Sequence, residues 1–272
     1  MTLDLALVTW QPEGIARVAA QQLPRVDGVR YVVSWQCHGN APVPESLRER
    51  DDVEIHRCEP VGVANNRNNA VEHCSADIIL MADDDIAYDA DALRKIIDIF
   101  ERHPEVDLAT LRYDSSRSKP YPPAETGLTL PLPVDYWVST VEIAVRRDSE
   151  AGRLRFCPEL GPGARYPAAE DEVFFLAAMR RGVSSHYFPI SVGRHPDLPS
   201  GATAIKSKAY YKAIGVFLSL CYGPSAPLRA IIRSWRLRRQ GRAPFFRSLV
   251  HIIKGITEAP AMKRRNSKYL WP

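Results

Sequence analysis

"VGVANNRNNAVEHCSADIILMADDD", residues 61–85, runs from a glycine through an amide-rich segment into an apolar run that ends on three carboxylates. Its two halves ask for different structures. NNRNNAVEHC suits a helix beginning near Asn65, whose side chain can cap the first turn. DIILMA is a short continuous apolar run of the kind that forms a buried strand. Asp83, Asp84 and Asp85 then repel one another, and nothing about folding asks for such a cluster there.

Upstream, LDLALVTW (residues 3–10) is an apolar run closed by the turn residues QPEG, IARVAAQQL has helical spacing, and VRYVVSW (29–35) is β-branched and strand-like. VEIH at 53–56 is a further short strand, and DADALRKIIDIFERH after the carboxylates is an amphipathic helix with acids at its start, where the helix dipole favours them. Strands alternating with helices at this spacing predict βαβ units and a mostly parallel sheet flanked by helices. Ligands bind beyond the carboxyl ends of the strands in such sheets. The three aspartates fall at that edge.

The pattern loosens after VDLATLRY. Residues 114–135 carry five prolines and no helical period, which predicts a long loop, either functional or disordered. VEIAVRR reads as a strand, AAEDEVFFLAAMRRG as a helix stopped by Gly182, and SHYFPIS as a strand leading into VGRHPDLPSG. KSKAYYKAIGVFLSLCYG, APLRAIIRSWRLRRQG and FFRSLVHIIKGITEA read as three helices with apolar and basic faces. The domain expectation is therefore a catalytic α/β domain over 1–205 and a helical extension over 206–272.

At 272 residues, with 45% hydrophobic and 25% charged residues, the composition is that of an ordinary globular chain. The N-terminus has no basic region followed by a cleavage site, and no run of about 18 apolar residues predicts a membrane span. Cys37, Cys58, Cys74, Cys157 and Cys221 are scattered without a CxxC pair, which points to reduced thiols in a cytoplasmic setting. The net charge of +4 conceals an asymmetry: residues 206–272 hold 15 Lys and Arg against the single acid Glu258, leaving 21 basic and 31 acidic residues in the rest.

Clustered carboxylates suit a hard divalent cation such as magnesium, which also serves substrate phosphates. Asp83 and Asp85, at i and i+2 on an extended segment, can aim into one space. An EF-hand loop is rejected, because counting from Asp83 its fifth, sixth and twelfth positions are Ala87, Tyr88 and Arg94. The bland alternative is an acidic turn that caps the following helix.

The order and spacing of residues 61–85 resemble the signature of family 2 glycosyltransferases of the GT-A fold: a glycine, an alanine-arginine-asparagine helix start, then a strand ending in Asp-x-Asp. The matching residues are Gly62, Arg67, Asn68, Asp83 and Asp85, with Asn66 where alanine is usual. The acid pair of AAEDEVFF, Glu170 and Asp171, resembles the family's catalytic-base motif, and His195 stands where relatives have a metal- or diphosphate-contacting histidine. The resemblance spans about residues 3–200. It implies a GT-A, Rossmann-like sheet and an inverting transfer from a nucleoside-diphosphate sugar to a glycan or lipid-linked glycan. Mg2+ or Mn2+ would be held by Asp85 and His195. Thr9, Arg67, Asp83 and Asp84 would contact the nucleotide, and Asp171 would be the base. Relatives carry an acidic turn after the second strand that reads the base. Here VVSWQCHGN (32–40) has no acid, and Ser34 and Gln36 are the side chains left to do it. UDP is the foremost donor nucleotide, with dTDP and GDP open.

The basic segment, read with the family's surface-polysaccharide enzymes, implies peripheral contact with an anionic membrane at its inner, cytoplasmic face. No nucleic-acid motif accompanies it. A sugar nucleotidyltransferase is the rival enzyme class, but TWQPEG is a poor phosphate loop. A non-enzymatic nucleotide- or glycan-binding module is the third reading. Donor sugar, acceptor, linkage and oligomeric state are not written in the sequence, nor is whether the basic segment meets a membrane or packs as a helical flap on the catalytic domain.

Overall fold

In the computed structural model of the chain, the described residues are 1–115, 120–132, 136–195 and 207–271. They group into two compact units: Met1–Val61, Asn65–Arg155 and Ala178–Asp197 form one, and Gly62–Ala64, Phe156–Ala177 and Leu198–Pro272 the other. The C-terminal helices therefore do not make a unit by themselves.

The first unit is built on a sheet. β1 (Leu3–Trp10), β2 (Val29–Gln36), β3 (Val53–Cys58) and β4 (Ile78–Asp83) are parallel, with β1 between β2 and β4. These are the runs whose β-branched and apolar residues mark them as strands. Their side chains are buried nearly throughout in β1, β2 and β4, as a sheet covered on both faces requires. α1 (Gln11–Ala20) follows β1, the short α2 (Glu45–Arg48) precedes β3, and α3 (Val63–His73) leads into β4. α3 starts two residues ahead of the expected Asn65 cap. Asn65 lies inside the first turn, and its amide donates back to the Val61 carbonyl at 2.8 Å.

The sheet departs from the parallel pattern beyond β4. β5 (Ala87–Tyr88) is followed by α4 (Ala90–Arg102), which Asp89 caps by accepting from the Ala92 amide at 2.8 Å. β6 (Leu108–Asp114), β7 (Thr126–Leu128), β8 (Ile143–Arg146) and β9 (Ser185–Arg194) complete nine strands among the described residues, in the order β3-β2-β1-β4-β8-β6-β9-β5 with β7 also on β9. β8 is antiparallel to both β4 and β6. β7 was not expected: it forms within the proline-rich segment, pairing Thr126–Leu128 with β9. Residues 116–119 and 133–135 of that segment lie outside the described residues. The short α5 (Glu150–Arg153) follows β8 and is capped by Ser149. Leu5, Leu7, Tyr31, Trp35, Leu80 and Phe100 lie in the core of this unit, fully or almost fully buried.

The second unit is helical. α6 (Glu170–Arg180) begins in it, and α7 (Lys208–Tyr222), α8 (Ala226–Arg239) and α9 (Phe245–Arg265) lie wholly within it. Val173, Leu176, Ala213, Val216, Met262 and Trp271 share one apolar cluster. α7 and α9 cross at Gly215 and Gly255. A Cβ on Gly215 would overlap the Ile252 carbonyl, and one on Gly255 would overlap the Lys212 carbonyl, so both positions need hydrogen for the backbones to approach. Glu258, the sole acid after residue 205, receives Lys212 at 2.5 Å and the Tyr166 hydroxyl at 2.8 Å.

The expectation of no membrane-length apolar segment meets one exception. Lys208–Arg239 is long and apolar enough to cross a membrane by length and composition, with 33% of its apolar window buried. That stretch is α7 and α8 joined through a 3-10 turn at Gly223–Ser225. α7 alone, at 15 residues, is about 22 Å long against a hydrocarbon core of about 30 Å. All five cysteines are free thiols.

Candidate functional site

The chain reverses direction across the sheet between β1 and β4: from β1 it proceeds outward to β2 and β3, then returns to the other side of β1 as β4. The crevice at the carboxyl ends of such a strand pair is where open α/β sheets bind ligands. Register sets Val8 opposite Asp83, so Thr9 and Trp10 stand beside the aspartates that follow.

Three elements take the three carboxylates in three directions. Asp83 ends β4, and its carboxylate accepts from the Arg67 guanidinium of α3 at 3.2 and 3.4 Å. Arg67 is itself buried. The Asp83 backbone is clamped by Tyr88 of β5, whose hydroxyl accepts from the Asp83 amide at 2.9 Å and donates to its carbonyl at 3.1 Å. Asp84 turns inward. Its Oδ2 accepts from the Thr9 hydroxyl at 2.5 Å, both oxygens accept from Arg17 at 3.0 and 3.1 Å, and its carbonyl accepts from Gln21. Burial pushes the Asp84 carboxyl up, against the pull of Thr9 and Arg17. Asp85 faces His195, which follows β9; His195 Nε2 lies 3.3 Å from Asp85 Oδ2. The His195 amide donates to the Asp114 carbonyl at 2.8 Å, which fixes the imidazole's entry into this space. Burial first, and then the like charge of Asp83, raise the Asp85 carboxyl above the usual carboxylate range, while His195 opposes them.

The structure thus gathers Thr9, Arg67, Asp83, Asp84, Asp85 and His195 at one sheet edge of the first unit. Asp171 belongs to the second unit. It occupies the first turn of α6 with Glu170 and Glu172, and its Oδ1 accepts from the Glu172 amide at 2.9 Å. Glu170 is buried. Ala169 precedes the helix at φ +73°, a left-handed conformation that an L residue adopts at a cost of about 1 kcal/mol or more.

Ser34 and Gln36, the side chains left to read a base, are both engaged within the protein. Ser34 is fully buried, donates to Asn66 Oδ1 at 2.6 Å and accepts from Asn69 at 2.8 Å, while Gln36 donates to the Pro60 carbonyl. Residues that carry no motif of their own also build the site. Asn66, noted only as a departure from alanine, donates to the Thr9 carbonyl at 2.9 Å and so ties α3 to the end of β1. Gly14 gives Thr9 and Asp84 their room, since a Cβ there would overlap Thr9 Oγ1 and lie 2.9 Å from Asp84 Oδ2. The signal in the chain is the i, i+3, i+7 spacing of Gly14, Arg17 and Gln21, which puts the first two on one face of α1 and Gln21 at its C-cap in line with them.

For a divalent cation the donor set is two-sided. Among the described residues no group of three or more His, Cys, Asp and Glu side chains converges as a metal cluster. Asp85 and His195 do converge, and a carboxylate with an imidazole fits a magnesium or manganese ion that takes its remaining ligands from phosphate and water. Two guanidiniums engage Asp83 and Asp84, whereas Asp85 faces an imidazole.

Residues 44–188, more than half of the chain, match the family model described as glycosyl transferase family 2. The chain belongs to that family. It is a glycosyltransferase, and its sheet with flanking helices is the GT-A fold. No curated protein matches it. Among solved structures, residues 1–349 of S. aureus TarS are 14% identical, with 98% of this chain and 89% of that one covered and a TM-score of 0.58. The same fragment in complex with UDP-GlcNAc gives 15% identity, coverage of 99% and 84%, and a TM-score of 0.60. A structure of TarS of which this chain covers 54% gives 12% identity over 98% of this chain and a TM-score of 0.61. Likeness at such identity reports the fold that the family 2 glycosyltransferase shares with TarS.

Proposed function

We propose that this glycosyltransferase moves a sugar from a nucleoside-diphosphate donor to a hydroxyl of a glycan or lipid-linked glycan, with inversion, in the assembly of a bacterial surface polysaccharide. The observation that carries the reading is the divergence of the three adjacent aspartates: Asp83 to Arg67, Asp84 to Thr9 and Arg17, Asp85 to His195. An acidic helix cap would not engage three separate elements at the carboxyl ends of two parallel strands.

In this reading Thr9, Arg67, Asp83 and Asp84 hold the nucleotide. Arg67 orients Asp83 through its guanidinium, and Asp84 acts through Thr9, whose hydroxyl it fixes. Asp85 and His195 are the ligands offered to Mg2+ or Mn2+. When bound, that ion supplies charge stabilisation to the departing diphosphate. An acceptor hydroxyl is a poor nucleophile, so a carboxylate must take its proton as the new bond forms. Asp171 is assigned that role from its place in the α6 acid cluster. A single displacement inverts the anomeric carbon. A uridine nucleotide is the first donor to test, because the TarS fold has been solved with UDP and with UDP-GlcNAc. The basic C-terminal helices support a cytoplasmic enzyme peripheral to the inner face of a membrane, where a lipid-linked acceptor would be met.

The test is calorimetric titration of UDP, dTDP and GDP, with manganese and with chelator, into wild type and Asp85→Ala. Metal-dependent binding of one nucleotide that is lost in the variant is the expected result. A folded protein that binds no nucleotide under any of these conditions would overturn the donor-site assignment.

A further inference from the structure

α8 carries two opposed faces. Ala226, Ala230, Ser234 and Leu237 are buried; the first three are small enough to let the helix lie close against α7 and α9, and Leu237 packs into the apolar cluster they share. On the opposite side Leu228, Ile231, Ile232 and Trp235 follow i, i+3, i+4, i+7 spacing and occupy an arc about 100° wide. All four are exposed, Leu228 at 63% and Trp235 at 51%. Scattered apolar residues on a surface need no explanation, but four on one stripe of one helix do. The stripe is flanked by Arg229, Arg233 and Arg236 on one side and by Arg238 on the other, and the Arg239 guanidinium lies 4.8 Å from the Trp235 ring centroid. α8 contains no acid.

We infer that this outer face of α8 seats in the headgroup region of an anionic lipid bilayer. The inference deepens the peripheral-membrane reading above, on which it rests, by assigning the contact to one helix face. Apolar side chains along the stripe would enter the acyl boundary, while the arginines, whose aliphatic stems can lie along that boundary, keep their guanidiniums at phosphate level. Trp235, amphipathic and beside Arg239, suits the interface depth that tryptophan favours. The helix lies on the bilayer and does not span it. Its 14 residues reach about 21 Å against about 30 Å of hydrocarbon, and five arginines leave no uninterrupted apolar run. A polynucleotide would use the arginines but give no role to the stripe. An acidic protein partner would need its own apolar surface, for which nothing in this chain speaks.

The test uses the full chain and flotation with vesicles, one set containing about 30% phosphatidylglycerol in phosphatidylcholine and one of phosphatidylcholine alone. Wild type is expected to float with the anionic set, at least about fivefold more than with the neutral set, consistent with the attraction of each basic residue to an anionic surface. Ile231→Asp and the double variant Leu228→Ser/Trp235→Ser should each lose about tenfold or more in binding, as removal of buried apolar contacts predicts. Because these positions are exposed, the variants should keep the wild-type unfolding midpoint, and manganese-dependent nucleotide binding serves as the control that the first unit is intact. Loss of vesicle binding with nucleotide binding retained separates this contact from the donor site. Equal flotation of wild type and variants, equal binding to neutral vesicles, or no flotation of wild type would each overturn the proposal. Retention of a polynucleotide by wild type and Ile231→Asp alike, without flotation, would reassign the arginines to nucleic acid. A concentration-dependent dimer abolished by Ile231→Asp, without flotation, would reassign the stripe to a second copy of the chain.

Discussion

Thr9 and Asp84, 75 positions apart in the chain, meet at the ends of β1 and β4, where the threonine hydroxyl donates to the buried carboxylate at 2.5 Å. That contact ties Asp84 into the buried frame, from which the proposed reading has it act on the nucleotide through Thr9, while Asp83 and Asp85 turn to Arg67 and His195. The division predicts opposite stability responses. Thr9→Val and Asp84→Ala should each lower stability by about 1–3 kcal/mol, because each leaves a buried polar partner less satisfied. Asp85→Asn should leave the urea midpoint unchanged or raised, since it removes a desolvated like charge beside Asp83, while abolishing metal-dependent nucleotide binding. A large loss of stability in Asp85→Asn would make it structural.

Gly14→Ala tests the room beneath that contact. A methyl group there meets Thr9 Oγ1 and Asp84 Oδ2, so either α1 shifts or Asp84 loses the threonine. Overpacking of this kind costs about 1–3 kcal/mol. Nucleotide affinity should fall with stability, and a variant with wild-type values for both would show that α1 can yield.

Asp171→Asn tests the proposed base. The amide cannot take the acceptor proton, so kcat should fall by about 10²–10⁴-fold, while calorimetric nucleotide affinity stays within about twofold of wild type. Parallel loss of both would place Asp171 in donor binding.

The helical unit depends on the crossing at Gly215 and Gly255. Gly255→Val places a branched side chain against the Lys212 carbonyl. The expected loss exceeds about 2 kcal/mol, read as faster amide exchange across α7 and α9. Protection of β1 and β4 measured in the same experiment would report whether the two units unfold together.

Acid sensitivity of the helical unit should follow Glu159. The Arg265 guanidinium, with the Asn266 amide, holds its carboxyl below the usual glutamate range. A depressed pKa in the folded state means that the stabilisation is present above the usual range and is lost as pH falls through the lowered value. Glu159→Gln should therefore lower the unfolding midpoint near neutral pH, and its difference from wild type should shrink as the pH falls through the depressed titration of Glu159. A difference independent of pH would trace the effect to the lost hydrogen bonds alone.

Much of the frame was legible from local pattern. LDLALVTW, VRYVVSW and DIILMA mark β1, β2 and β4 nearly to the residue, because a strand covered on both faces must be apolar along its length. The antiparallel insertion of β8 between β4 and β6 was not legible, since strand order depends on which edges meet. β7 hid in a proline-rich stretch, where three residues are too few to show a period.

What the sequence alone determined is chemistry and its approximate place: three carboxylates at a strand end, an acid cluster opening α6, a histidine after the last strand, and arginines concentrated toward the C-terminus. Residue type and short spacing carry that information. Tertiary structure alone decided which aspartate faces inward, that Ser34 is sealed beneath Asn66 and Asn69, that Gly14 makes room for Thr9, and that the apolar stripe of α8 points outward. Those outcomes depend on contacts between residues far apart in the chain or on which face of a helix is covered, and neither is encoded in the spacing of neighbours.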